Sequence, residues 1–121
     1  MKYDDNNIFA KILRGEIPCN KIYEDDFVLS FYDINPQKKI HALVIPKGKY
    51  IDLDDFNSNA SNDEIVGLMK GITTVSKKLG ISSIDGKGYR ALANISEDGG
   101  QEVPHLHFHL FGGEKVGKMV S

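Results

Sequence analysis

The chain has 121 residues, 40% of them hydrophobic and 26% charged, with a formal net charge of −2. That balance predicts one globular domain over 1–121 with its own core. The near-even charge excludes the broad basic surface that grips nucleic acid, and no apolar run approaches membrane-spanning length.

The opening MKYDDNNIFAK lacks the apolar core of a signal peptide, so a cytoplasmic protein with neither nucleic acid nor membrane as partner is expected. A short helix is predicted over Asn7 to Leu13, with Asn6 as its cap and Gly15 as its stop. Cys19, the only cysteine, excludes an internal disulfide. Strands are predicted over Lys21 to Glu24 and Phe27 to Asp33, flanking a turn at Asp25-Asp26. Asn35-Pro36 breaks the chain, and the apolar run His41 to Pro46 reads as a buried central strand. The clearest element is a helix from Asn62 to Leu79. Ile65, Leu68, Met69, Ile72, Val75 and Leu79 recur at helical spacing, Ser61 and Glu64 form a capping-box pattern, and Gly80 can end it. Two further strands follow, Gly88 to Asn94 and His105 to Phe111, joined by a loop rich in glycine and acid. The order predicts an α+β fold with two helices and a mostly antiparallel sheet.

The last strand reads HLHFHLF, and it holds three of the four histidines in the chain. On a strand, alternate side chains share a face, so His105, His107 and His109 point together. The residues alone leave three uses open. Two alternating histidines can clasp a zinc ion, but the outer pair lies roughly 13 Å apart at about 3.3 Å per residue, so a third ligand comes more naturally from elsewhere. The imidazoles can be partly buried and simply hydrogen-bonded. Or they can act on phosphorus: a neutral imidazole is a nucleophile near pH 7 and a protonated one an acid. Gly99-Gly100 just upstream can bring backbone N–H groups close to phosphate oxygens.

IFAKILRGEIP, IYEDD, FYDINPQ, HALVIPK, ALAN and GGQEVPHLHFHLFGG, in that order, resemble the histidine triad (HIT) family of nucleotide-binding proteins from about Asn6 to Gly113. The resemblance implies a five-stranded antiparallel sheet with two helices, a two-fold dimer with joined sheets, and chemistry at a nucleotide α-phosphate. It makes His107 the nucleophile that carries the nucleotide. His109 would contact the phosphate and leaving group, and His105 and His41 would support the site. Asp33 matches the acid that binds the ribose hydroxyls. Ile8, Phe9, Ile12, Ile17 and Ile34 match the apolar walls around the base, and Asn94, Gly100 and Gln101 match the phosphate-binding side.

A histidine at 109, where related transferases usually carry glutamine, points to hydrolysis. The ending Phe111-Gly112-Gly113 resembles the Hint-like branch, which acts on purine nucleoside phosphoramidates. The expectation is therefore a hydrolase of the P–N bond in such compounds, adenosine 5′-monophosphoramidate among them. The alternatives are a dinucleoside polyphosphate hydrolase and a nucleotide-binding interaction protein with incidental catalysis. Many members carry a zinc-binding Cys-x-x-Cys near the N-terminus; here those positions are Asn7 and Ala10, and Lys49 stands where a histidine is often found. No metal and no cofactor are therefore expected. Glu102 replaces a serine common in the Hint-like branch and is expected to touch the substrate.

Overall fold

In a computed structural model that describes residues 2–119, the chain opens with helix α1 (Ile8–Leu13). Its cap is Asn7, not Asn6: Asn7 has extended dihedrals and its side chain accepts the Ala10 N–H at 2.9 Å. Asn6 belongs to the turn before it and donates its N–H to Asp4. Gly15, at φ 78°, lets the chain leave the helix where a Cβ would be strained.

Strands β1 (Lys21–Glu24), β2 (Val28–Tyr32) and β3 (Ile40–Pro46) follow as an antiparallel meander. Asp25 sets the first turn, because its carboxylate accepts the N–H groups of Phe27 and Val28 at 2.8 and 2.9 Å. Helix α2 (Leu53–Asn59) comes next, capped by Asp52. It corrects the expected two helices to three among the described residues. Its sequence, LDDFNSN, is mostly polar; Phe56, 1% exposed, is its buried anchor, with Leu53 partly buried against the same core.

Helix α3 (Asn62–Lys78) has the expected Ser61–Glu64 capping box. Its buried face is Leu68, Gly71, Ile72, Val75 and Ser76. Met69 is half exposed rather than core, since it stands about 100° round the helix from Leu68. The helix can lie close on β2 because of Gly71, where a Cβ would sit 3.0 Å from Val28. Strand β4 (Arg90–Leu92) is shorter than Gly88 to Asn94, and β5 (Phe108–Gly112) starts three residues later than His105.

The sheet order is β1-β2-β3-β5-β4, with every pair antiparallel. Alternation along β2 and β3 divides the core in two. Val28, Ala42 and Val44 pack under α3 with Leu106 and Leu110, while Leu29, Phe31, Leu43 and Ile45 pack with Phe9 of α1. The histidine run follows the same rule, so its leucines join the α3 core and its imidazoles face the α1 side. No helix among the described residues is long and apolar enough to cross a membrane.

Candidate active site

The β3–β5 register places Leu43 opposite His109 and His41 opposite Phe111. His41 and His109 are therefore diagonal neighbours on one face, and their rings meet with Nε2 of His41 2.9 Å from Nδ1 of His109. The backbone N–H of Gln37 donates to Nδ1 of His41 at 3.1 Å. That leaves the proton of His41 on Nε2, which donates to His109, and puts the proton of His109 on its own Nε2. Asp33 stands 3.5 Å from Nε2 of His41 and also accepts the Asn35 N–H, so it keeps the expected turn role as well.

His105 and His107 lie outside the regular ladder, a correction to the single strand expected over His105 to Phe111. The Leu106 N–H bonds the carbonyl of Tyr50 and the His105 N–H that of Val103, so this stretch does not continue the β3 pairing. His105 is fully buried. Its Nε2–H donates to the Pro46 carbonyl at 2.9 Å, because a carbonyl can only accept, and its Nδ1 accepts the Tyr3 hydroxyl at 2.6 Å. The carbonyl of His105 in turn accepts Nδ1–H of His107 at 2.8 Å. This bond holds His107 in the tautomer whose lone pair is on Nε2. Phe9 packs edge-on against that ring at 4.9 Å. The ring of His109 is 5.0 Å from that of His107, so a lone-pair nitrogen and an N–H donor belong to adjacent rings.

Burial is the leading cause of lowered basicity at all four imidazoles. It holds His105 and His109 at about 4, with the neighbouring His107 adding to both, and His41 at His109 adding further. His107 is lowered by burial against the opposing pull of the His105 carbonyl, Asp33 and Glu102. His41 is lowered the same way against Asp33. The site rests neutral near pH 7, which suits a nucleophile.

A cleft of about 400 Å³ joins these groups. Of the residues expected at the site, Phe9, Asp33, His41, Asn94, Gly100, Glu102, His107 and His109 line it. The rest do not. Ile34 is 85% exposed, Ile8 is exposed on α1, and Ile12 and Ile17 are half-buried away from it. Gln101 braces the loop instead, donating to the carbonyls of Ile51 and Val103 and accepting the Ser96 N–H. His105 supports from beneath. The lining also includes Asn35, Gln37, Leu43 and Val103, which sequence reasoning missed. For Asn35 and Gln37, closeness to Asp33 and His41 in the chain was the available signal. Asn94 donates its amide to the Gly99 carbonyl at 2.7 Å and so ties β4 to the glycine loop.

Two sets of side chains bear on metal binding. At the positions where the family often carries zinc ligands, Asn7 is spent on its helix cap, Ala10 has no side-chain donor atom, and Lys49 is an ammonium paired with Asp5, so these groups do not fit zinc. Asp33, His41 and His109 do offer ligand atoms within 4.8 Å of one another. However, the His41–His109 contact of 2.9 Å is a hydrogen bond, shorter than the about 3.3 Å between nitrogens on a tetrahedral zinc ion.

An α+β sheet with a neutral imidazole cluster on one face defines a histidine triad protein. Residues 14–116 match the HIT domain family, and the chain belongs to it. It is 51% identical over 119 residues to a HIT-like protein of Azospirillum brasilense, covering 98% of this chain and 95% of that one. It is 39% identical over 117 residues to the purine nucleoside phosphoramidase of Escherichia coli (strain K12), covering 97% and 95%. A solved HIT family hydrolase from Clostridium thermocellum superposes with a TM-score of 0.85 at 36% identity, covering 98% of this chain and 99% of that one.

Proposed function

We propose that the protein hydrolyses purine nucleoside 5′-phosphoramidates through a nucleotidyl-histidine on His107. The observation that carries this is the 2.8 Å bond from Nδ1–H of His107 to the His105 carbonyl, which leaves Nε2 with its lone pair at the cleft. In the first step Nε2 attacks the α-phosphorus and the P–N bond to the leaving amine breaks, while His109, carrying a second proton taken up with the anionic phosphate, gives the amine its proton from Nε2 and becomes neutral. In the second, water attacks the phosphorus, the bond to His107 breaks, and the water proton returns to His109. The products are the amine and a nucleoside 5′-monophosphate. The relative in Escherichia coli, a purine nucleoside phosphoramidase by name, supports the substrate class. The lone thiol of Cys19 suits a reducing, cytoplasmic setting.

The test is side-by-side turnover of adenosine 5′-monophosphoramidate and diadenosine polyphosphates, with kcat/KM higher for the first expected. A higher value for the second would move the protein to polyphosphate hydrolysis, and turnover of neither would make it a binding protein.

Glu102 supports the amine-leaving reading, since a carboxylate lining the cleft attracts a cationic amine and repels an anionic group. Glu102→Gln keeps the shape and removes the charge. It is expected to lower the kcat/KM ratio of amine-leaving over anionic-leaving substrates about two- to fivefold at low salt, less at moderate salt, because the side chain is exposed. An unchanged ratio would make Glu102 a solvated loop acid.

We also propose a homodimer with joined sheets. The β1 edge is defended by a bulge between Lys21 and Tyr23 and by the paired charges of Lys21 and Glu24. The outer edge of β4, with Ala91 exposed, pairs with no strand among the described residues. Light scattering at micromolar concentration is expected to give twice the 13.5 kDa chain mass. A monomer mass would count against it.

A further inference from the structure

We infer that Tyr3 is a positioning residue for His107, acting through His105. The inference rests on the reading of His107 as nucleophile. The phenol hydroxyl donates to Nδ1 of His105 at 2.6 Å, across 102 positions of sequence, and the two rings meet edge to face at 5.7 Å. The far nitrogen of the same imidazole is held by the Pro46 carbonyl. His105 is thus pinned at both ends of a ring that no water reaches, since it is fully buried. Its own carbonyl is the acceptor that keeps the proton of His107 on Nδ1. A relay therefore runs from the Tyr3 hydroxyl to the His105 ring, from that residue's carbonyl to Nδ1 of His107, and so to the free lone pair on Nε2.

Removing the hydroxyl leaves one buried acceptor empty and frees one end of the ring. The ring can then tilt about its Pro46 bond. Its main chain follows, and the carbonyl moves off the line of Nδ1–H of His107. The charged groups near Tyr3 are Asp5, Lys49 and Arg14, and they face its segment rather than the ring of His105. Asp5 is paired with Lys49 at 2.8 Å, and its carbonyl accepts from Arg14. These contacts tether the N-terminal segment without touching the histidines, which gives the control.

The experiment compares Tyr3→Phe with Asp5→Asn in protein carrying ¹⁵N-labelled histidine. Tyr3→Phe keeps the ring and its packing. It is expected to shift the Nδ1 resonance of His105 to that of an unbonded nitrogen and to turn the single Nδ1–H tautomer of His107 into a mixture. On the phosphoramidate, kcat is expected to fall about tenfold with KM changed less than twofold, the signature of lost orientation rather than lost binding. Asp5→Asn loosens the same segment and keeps the hydroxyl. It is expected to retain the wild-type tautomer of His107 and the wild-type kcat.

The resonances are read without substrate, so they stand even if the phosphoramidate is not turned over. A Tyr3→Phe protein whose His107 remains wholly Nδ1–H, with kcat unchanged or falling only with its melting temperature, would overturn the inference. So would an Asp5→Asn protein with the same tautomer mixture, since the tether and not the hydroxyl would then be responsible.

Discussion

His107→Ala is expected to lower kcat by roughly 10⁴-fold while nucleotide binding largely survives. The substitution removes the one imidazole whose lone pair is held at the cleft by a bond from its other nitrogen to a main-chain carbonyl. No neighbour can take its place. His109 shares its Nδ1 with His41 and offers only an N–H, and both nitrogens of His105 are engaged beneath the cleft. What remains still binds: Asp33, His109, Asn94 and the loop at Gly100 all line the same cavity. The fold should tolerate the change, because the carbonyl of His105 would then face a cleft open to water. Two measurements check the prediction. Titration with a nucleoside monophosphate should give a Kd within a few-fold of wild type. Mass spectrometry of acid-free quenched wild-type enzyme should find one nucleotide on His107. A variant that keeps a tenth of the rate or more would rule out the covalent route.

The second large effect is on stability in mild acid. In an unfolded chain a histidine titrates near 6.5. In the native protein burial holds His105 and His109 at about 4, and lowers His41 and His107 as well. Between 6.5 and 4 the unfolded chain therefore binds more protons than the native one. Stability is full above 6.5, falls as pH drops through that window, and levels off for these groups below about 4. For His105 the lowering from 6.5 to about 4 amounts to on the order of 3 kcal/mol, a large share of the 5–15 kcal/mol typical of a domain. His109 adds less, since it is only half-buried and water screens it. The surface carboxylates cannot mimic this loss. Glu24, held at about 2 by its bonds to Lys47 and Lys21, starts to matter only as pH falls below about 4.5, its ordinary value. Denaturant melts at pH 7.0, 5.5 and 4.5 are expected to show a midpoint that drops steadily. A midpoint flat down to pH 4.5 would mean that the imidazoles titrate as if exposed.

Helix α3 was legible because its signals are local. A 3.6-residue period and a capping box act over a few residues, and the structure has both, with only Met69 turned outward. The two-residue alternation of the histidine run was legible for the same reason, and so was the buried β3. Helix α2 was not, because polar residues fill its turns and Phe56 becomes an anchor only against a core built from other elements. Ile34, which the resemblance matched to a wall of the base site, stands 85% exposed at the turn that Asp33 and Asn35 close, a placement that no local pattern encodes.

By itself, the sequence determined helix α3, the strands of the meander, and that the imidazoles of the last run share one side. Dihedral preference and side-chain direction are short-range properties, so a local pattern can encode them. Only the tertiary structure decided what each imidazole can do. His41 meets His109 across 68 positions and Tyr3 meets His105 across 102, and no local pattern encodes either distance. A histidine's tautomer follows from the donors and acceptors brought to its two nitrogens, and its basicity from the water taken away. Both are consequences of packing, so the roles proposed for these four residues, a nucleophile, a donor and two supports, depend on the sheet and the N-terminal segment closing around them.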